Sequence, residues 1–172
     1  NTELVIEAGA TLHCAVALQK AIIVTGDNCR ITGAGTILSP AVWNGSTPQP
    51  AYATVWVEDC IGFYATGITF YNIPKTGIWF QDSTQWRVEN CTFLGNYPYA
   101  DYNESITTHH FGIGYNPPAD ALGLDTWGQV VGNSFSMCVT GFIFGNFGAT
   151  ATTKGIAVVG NAFKNCWAHA VY

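Results

Sequence analysis

Six residues of this chain are candidates for acid–base chemistry, and four of them lie between positions 101 and 110. They are Lys75, Asp101, Glu104, His109, His110 and His169. Two carboxylates can act as general acid and general base in the hydrolysis of a glycosidic bond. A histidine or lysine can instead remove the proton next to a uronic-acid carboxylate, as a lyase requires. The residue types leave both reactions open.

Aromatic side chains surround the same stretch and would suit a sugar as the bound molecule. The CH groups on one face of a pyranose ring are apolar and can pack on an aromatic ring. The candidate substrate-binding residues are Tyr97, Tyr99, Tyr102, Tyr115 and Trp127. This combination of aromatic and acidic residues favours a polysaccharide as partner.

The acidic and basic candidates each have a simpler interpretation. Asp101 and Glu104 can simply solvate an exposed loop, which for either residue alone is the commoner role. His109 and His110 are adjacent, so in a strand they face opposite ways and at most one can line a site. Lys75 follows Pro74 and fits a surface bend, and His169 can serve in packing.

The elements that would position these residues follow from an internal repeat. Residues 55–70 align without a gap on residues 78–93, with Trp56 on Trp79 and Phe70 on Phe93. A fixed period of this size indicates a solenoid, in which each turn buries its apolar face against the next. Short alternating runs rich in Val, Ile, Thr and aromatics, separated by Gly, Asn and Asp, predict strands and not helices.

The predicted fold is therefore all-β, a right-handed single-stranded parallel β-helix of about six coils. Its interior anchors are Ile37, Phe70, Phe93, Phe135 and Phe163. Residues 39–53 are predicted to be a loop, because three prolines and an Asn-Gly pair oppose regular pairing. Residues 94–128 are predicted to be an insertion that enlarges one coil around a strand at 111–115. The whole of 1–172 is predicted to form one domain with an incomplete C-terminal coil and to be a piece of a longer protein.

Stacking of the coils would bring the candidate residues to one rim. Strands at 54–57, 77–80, 111–115, 141–144 and 169–172 are predicted to share a sheet. The candidates lie before these strands or in the enlarged bend beside them. By the same stacking Asp59 lies above Asp82, and Trp56 lies above Trp79. For the tryptophans we favour ladder packing over a sugar platform.

Composition limits the function classes. Lys and Arg number 6 against 11 Asp and Glu, giving a net charge of −5, so a basic nucleic-acid footprint is absent. No apolar run has the length of a membrane span. Partners are therefore predicted to include neither nucleic acid nor membrane.

Six cysteines are present, and none is in a C-x-x-C pair, so a zinc site is not favoured. Buried free thiols are the favoured interpretation. Neighbouring coils are close enough for a disulfide, with Cys14–Cys29 as the best candidate pair. No cofactor is predicted. A calcium site at Asp120 and Asp125 is a weaker alternative, because the carboxylates there are sparse.

The repeat units, such as Asp82-Ser-Thr-Gln-Trp-Arg-Val-Glu-Asn-Cys-Thr-Phe93, resemble the coils of the pectin-lyase-like superfamily. That group includes polysaccharide lyases and hydrolases and phage tailspikes. The resemblance implies a groove along one sheet, walled by the long bends. The catalytic motifs of polygalacturonases and pectate lyases are missing, so no catalytic residue carries over. The tailspike likeness implies a homotrimer, and the location is predicted to be secreted or virion-borne. The open sheet edge of the last coil predicts a capping chain or domain at the C-terminal end.

Two functions remain as hypotheses. The first is an extracellular or virion-borne polysaccharide hydrolase or lyase, favoured by the large aromatic insertion. The second is a non-catalytic structural or adhesive module of a tail fibre, adhesin or surface layer, favoured by the low charge and incomplete last coil.

Overall fold

The computed structural model describes residues 1–14, 20–39, 53–73, 76–95, 111–118, 127–144, 155–166 and 169–171. These residues form eighteen short strands, and none of them is helical. The strands are β1 (Glu3–Ile6), β2 (Thr11–His13), β3 (Lys20–Val24), β4 (Arg30–Gly33), β5 (Thr36–Leu38), β6 (Ala53–Glu58), β7 (Tyr64–Thr66), β8 (Thr69–Ile73), β9 (Thr76–Gln81), β10 (Trp86–Glu89), β11 (Thr92–Gly95), β12 (Phe111–Asn116), β13 (Gly128–Val131), β14 (Ser134–Ser136), β15 (Thr140–Phe144), β16 (Ile156–Val159), β17 (Ala162–Lys164) and β18 (His169–Val171).

Every third strand along the chain joins the same sheet, and all pairings are parallel. Sheet 1 contains β1, β4, β7, β10, β13 and β16; sheet 2 contains β2, β5, β8, β11, β14 and β17; sheet 3 contains β3, β6, β9, β12, β15 and β18. The fold is thus a right-handed parallel β-helix of about six coils, as predicted. Within the described part of the chain no helix has the length and apolar character needed to cross a membrane.

A column of aromatic rings runs through the interior on sheet 2. Phe93 pairs in register with Phe70 on one side and Phe135 on the other, and Phe163 follows Phe135. Successive ring centroids are 4.8, 4.9 and 5.0 Å apart, with planes within 8° of parallel. Ile37 continues the column below Phe70. This confirms the predicted anchors and shows that one coil lies between Phe93 and Phe135.

The corners of the coil need residues with positive φ. Between sheets 1 and 2 the corner column is Gly33, Gly67, Asn90, Gly132 and Gly160, all with φ between 51° and 123°. At Gly67 a Cβ atom would lie 2.2 Å from the carbonyl oxygen of Gly33, so the close approach of the backbones also requires glycine there.

Asparagines hold the same corner on its inner side. The Asn133 side chain is 1% exposed, accepts a hydrogen bond from the Cys91 backbone N–H and donates one to the Val88 carbonyl, both at 2.9 Å. Asn161 repeats this one coil further on by accepting from the Asn133 N–H at 2.8 Å and donating to the Val130 carbonyl at 2.8 Å. These bonds satisfy backbone groups that the short corner leaves without ladder partners.

All six cysteines carry free thiols. The predicted Cys14–Cys29 disulfide is therefore wrong. Cys14 follows β2 and Cys29 precedes β4, so they occupy different corners of the coil and are not stacked on each other. Cys60, Cys91 and Cys138 are buried, and the other three pack against the apolar core, in agreement with the predicted thiols.

Candidate functional site

The outer face of sheet 3 carries two stacked tryptophans. In β6, Val55 and Val57 belong to the apolar core, so Trp56 between them points outward. Trp79 takes the same position on the next coil, with ring centroids 6.1 Å apart and planes 25° from parallel. On the coil after that the register position is Gly114, where a Cβ would lie 2.4 Å from the Trp79 ring. The Trp79 ring therefore lies against the backbone of Gly114, in space that any side chain at position 114 would fill.

A polar row runs beside the tryptophans at the end of the same strands. Glu58, Gln81 and Asn116 are in register on three successive coils. Asn116 Nδ2 donates to Gln81 Oε1 at 3.1 Å, and the Trp79 indole N–H donates to the same oxygen at 3.3 Å. The change from carboxylate to two amides avoids stacking like charges at the coil spacing of about 4.8 Å.

Lys20 lies on the coil before Trp56 and contacts two residues of this surface. Its Nζ lies 3.5 Å from Glu58 Oε2 and 3.8 Å from the centroid of the Trp56 ring. The ammonium thus makes an ion pair and a cation–π contact at once. We call the set Lys20, Trp56, Glu58, Trp79, Gln81 and Asn116 the tryptophan face.

Carboxylates follow the tryptophan face in the adjoining turn. Asp59 and Asp82 are the residues after Glu58 and Gln81, both with positive φ. The Asp59 N–H donates to the Gln81 carbonyl at 3.1 Å, so the two aspartates lie on neighbouring coils, as predicted. Asp82 Oδ2 accepts from Gln81 Nε2 at 2.7 Å.

Most of the predicted catalytic and substrate-binding residues lie outside the described residues. This applies to Lys75, Tyr97, Tyr99, Asp101, Tyr102, Glu104, His109 and His110, and to Asp120 and Asp125 of the alternative calcium site. Their neighbours are described: Lys75 directly precedes β9, and residues 96–110 connect β11 of sheet 2 to β12 of sheet 3.

Three of the predicted site residues lie within the described part of the chain, and they differ in position and exposure: His169, Tyr115 and Trp127. His169 begins β18, pairs with Thr140 of sheet 3 and is exposed. Tyr115 is 0% exposed and packs edge-on to Trp86 in the core. Its predicted role in sugar binding is therefore wrong, because alternation along β12 turns Tyr115 inward with Ile113. Trp127 is 54% exposed in the corner before β13, with φ 35°, and lies against Gly155.

The predicted rim thus omitted the tryptophan face. The repeat had aligned Trp56 with Trp79, and Val55-Trp56-Val57 alternates as an in–out–in strand. That alternation was the signal that both side chains lie on the outer face of sheet 3. The rings stack on each other as the predicted ladder, and Trp56 is only 8% exposed, whereas Trp79 is partly exposed.

A second polar cluster lies on the outer face of sheet 1. Arg87 and Tyr64 pair in register, and Glu89 bonds to both side chains. The hydrogen bond from Tyr64 lowers the pKa of Glu89, and Arg87 lowers it further, whereas partial burial opposes both. Burial and the bond to Glu89 raise the pKa of Tyr64. The cluster is built of mutually paired groups and has the character of a stabilising network.

Metal-ligand clusters are not formed by the described residues: no three His, Cys, Asp or Glu side chains among them are grouped to hold an ion.

No family model matches this sequence. No curated protein matches it either. Among solved structures, the fold is similar to that of a protein from Parabacteroides merdae ATCC 43184 described as a "putative glycosyl hydrolase". The two share 14% identity with a TM-score of 0.52, over 98% of this chain and 73% of the other. At that identity the likeness establishes a shared fold.

Proposed function

We propose that this protein is an extracellular or virion-borne glycoside hydrolase that binds a polysaccharide on the outer face of sheet 3. The observation that carries the proposal is the tryptophan face. It places the partly exposed Trp79 ring, stacked on the nearly buried Trp56 ring, beside amide and carboxylate groups. Aromatic rings bury the apolar faces of sugars, and the neighbouring polar groups bond to their hydroxyls. The likeness to the Parabacteroides merdae protein supports it at the level of fold.

The charge of this surface favours hydrolysis over β-elimination. Glu58, Asp59 and Asp82 contribute three negative charges, whereas Lys20 contributes one positive charge already paired with Glu58. Adding Lys75, next to β9 in the sequence, still leaves an excess of carboxylates. A lyase substrate carries a carboxylate on each reacting sugar, which such a surface would repel. The proposed substrate is therefore a neutral glycan.

Two carboxylate pairs could supply the acid and the base. Glu58 ends β6, and Asp82 directly follows β9 on the next coil. Glycosidases use two carboxyl groups about 5–9.5 Å apart. Asp101 and Glu104 form the other pair, in the insertion that leads into β12. In either pair one residue would protonate the leaving oxygen, while its partner acts as nucleophile or activates water.

Cleavage assays on a panel of neutral glycans and polyuronates distinguish these pairs. Glu58→Gln with Asp82→Asn, and separately Asp101→Asn with Glu104→Gln, are compared with the wild type. We expect one double variant to lose more than ~100-fold in kcat and the other to retain activity. The control is Glu7→Gln, an exposed residue in the turn after β1. Full cleavage by both double variants would remove both pairs from consideration.

A non-catalytic adhesive or structural module is the second candidate. It is favoured by the outermost strands of each sheet: among the described residues, β1 and β16 in sheet 1 each pair with one strand, as do their counterparts in the other sheets. Such strand edges can join a capping chain or a trimer partner. Glycan binding without cleavage of any polymer, together with a trimeric mass in light scattering, would favour this candidate over the hydrolase.

A further inference from the structure

Cys138 and Cys166 occupy equivalent places on neighbouring coils. Ser136 of β14 pairs in register with Lys164 of β17, and the Met137 N–H donates to the Lys164 carbonyl at 3.2 Å. Counting two residues on from that pair brings Cys138 next to Cys166. Met137 and Asn165 have φ of 54° and 52°, so the backbone makes the same bend before each cysteine. The two thiols therefore turn in the same direction from stacked positions.

Both side chains turn toward the interior. Cys138 is 2% exposed, and Cys166, which is half-buried, packs against the same core cluster. Burial raises the pKa of Cys138 to about 12, and burial likewise raises the pKa of Cys166. The more accessible Cys166 is thus the better initial nucleophile.

We propose that Cys138 and Cys166 form a disulfide that joins the two coils when the protein folds in the presence of a disulfide oxidant such as oxidised glutathione. Stacked strands are about 4.8 Å apart, and disulfides span Cα separations of about 4.4–6.8 Å. The bond needs the two Cβ atoms at about 3.5–4.5 Å, slightly closer than the strand spacing. The secreted location proposed above is the kind of setting in which such a bond persists.

The chemistry balances with glutathione disulfide as the oxidant. The Cys166 thiolate attacks one sulfur of glutathione disulfide, forming a mixed disulfide and releasing one glutathione thiolate. The Cys138 thiolate then attacks the Cys166 sulfur, forming the protein disulfide and releasing a second glutathione. The protein loses two protons and two electrons, and glutathione disulfide is reduced to two thiols.

Another pair of thiols is close in space but out of register. The Cys60 thiol donates to the Gly26 carbonyl at 2.8 Å, and a Cβ on Gly26 would lie 3.4 Å from the Cys29 sulfur. Cys29, however, is level with Phe63, because its carbonyl accepts from the Tyr64 N–H at 3.0 Å. Cys60 comes three residues before Phe63 in the chain, so it is not stacked on Cys29. Cys29–Cys60 is therefore the natural internal control.

The experiment is refolding in a glutathione redox buffer, followed by alkylation, trypsin digestion and mass spectrometry. Trypsin cleaves after Arg87, Lys154 and Lys164, so Cys138 and Cys166 fall in different peptides. A Cys91→Ser background leaves Cys138 as the single cysteine of its peptide. We expect a cross-linked pair of peptides that separates on reduction and is missing in Cys138→Ser and in Cys166→Ser. It should persist in Cys60→Ser.

A second measurement does not depend on peptide recovery. The oxidised protein should unfold at a temperature several degrees above the reduced protein, because the bond restricts the unfolded chain. This difference should vanish in Cys166→Ser and remain in Cys60→Ser. Recovery of Cys138 and Cys166 as separately alkylated peptides after refolding would overturn the proposal. So would a Cys29–Cys60 cross-link in their place.

Discussion

At the residue scale, the buried amide of Asn133 shows how a polar side chain can be required inside an apolar solenoid. Its two strong bonds to Cys91 and Val88 satisfy backbone groups to which water has no access. An unsatisfied buried donor or acceptor costs about 1–3 kcal/mol. The side chain thus supports the corner between sheets 1 and 2.

Replacement of Asn133 by Ala should lower the free energy of unfolding by about 2–4 kcal/mol, since both backbone groups lose their partner. The same change at the half-exposed Asn161 should cost less, because water can replace the lost bonds. Urea denaturation followed by circular dichroism measures both. Equal losses in the two variants would contradict this account.

Glu89 should make stability depend on pH in the acid range. Its pKa is lowered in the folded protein, so its contribution is fully present above the unfolded value of about 4.3. That contribution is lost as pH falls through the lower folded value. Glu89→Gln should flatten the dependence of the thermal midpoint on pH below about 4.3. Glu7→Gln serves as the control and should leave the curve unchanged.

Glycan binding should depend on Trp79 more than on an ordinary exposed aromatic ring. Trp79→Ala removes half of the indole stack and should weaken binding to a neutral glycan about 10-fold. Tyr71, which is 51% exposed on sheet 2, provides the matched control as Tyr71→Ala. Affinity electrophoresis in polysaccharide-containing gels measures both, and equal retardation of the variants would count against the tryptophan face.

At the scale of elements, three strands of sheet 3 have a glycine as their second residue, and these glycines make room for the phenylalanine column. A Cβ on Gly112 would lie 2.4 Å from the Phe135 ring and 2.7 Å from the Gly141 carbonyl oxygen. Gly77 and Gly141 stand in the same relation to Phe93 and Phe163. On these three coils the close approach of sheet 3 to sheet 2 therefore requires a missing side chain, whereas on β6 the position in register with Gly77 is Thr54.

Gly112→Ala should destabilise the protein by about 1–3 kcal/mol through overpacking. Gly26→Ala is the control, because its nearest neighbour is the Cys29 sulfur at an ordinary 3.4 Å. We expect that variant to change the unfolding free energy by less than about 0.5 kcal/mol. Similar losses in the two variants, measured by thermal denaturation, would argue against steric crowding as the cause.

The elements were largely predictable from sequence, whereas the direction of their side chains was only partly so. The gapless alignment of Trp56 with Trp79 specified which strands stack, because equal coil lengths preserve register. Tyr115 was misplaced because the long segments on both sides of β12 obscure where its alternation begins. The thiols of Cys14 and Cys29 were paired because neighbouring coils are close, but two residues stack only when they occupy the same corner of the coil.

At the scale of the whole molecule, each coil contacts only its neighbours, so stability should vary along the stack. The amides of β8 and β11, which bear the fully buried Phe70 and Phe93, should exchange hydrogen more slowly than those of β2, whose residues are all exposed. Hydrogen-exchange mass spectrometry measures this gradient. Uniform protection over all three strands would indicate a single cooperative unit.

The spacing of the phenylalanine column also controls what the protein can hold on its outside. Steps of 4.8 to 5.0 Å between rings fix the pitch at which every outward group recurs. A linear polymer bound along the axis of the β-helix has its own repeat length, which differs from the spacing of the coils. After a few repeats the polymer units no longer coincide with the outward groups of the coils. The number of equivalent contacts is therefore limited by the spacing of the interior phenylalanines and not by the length of the polymer.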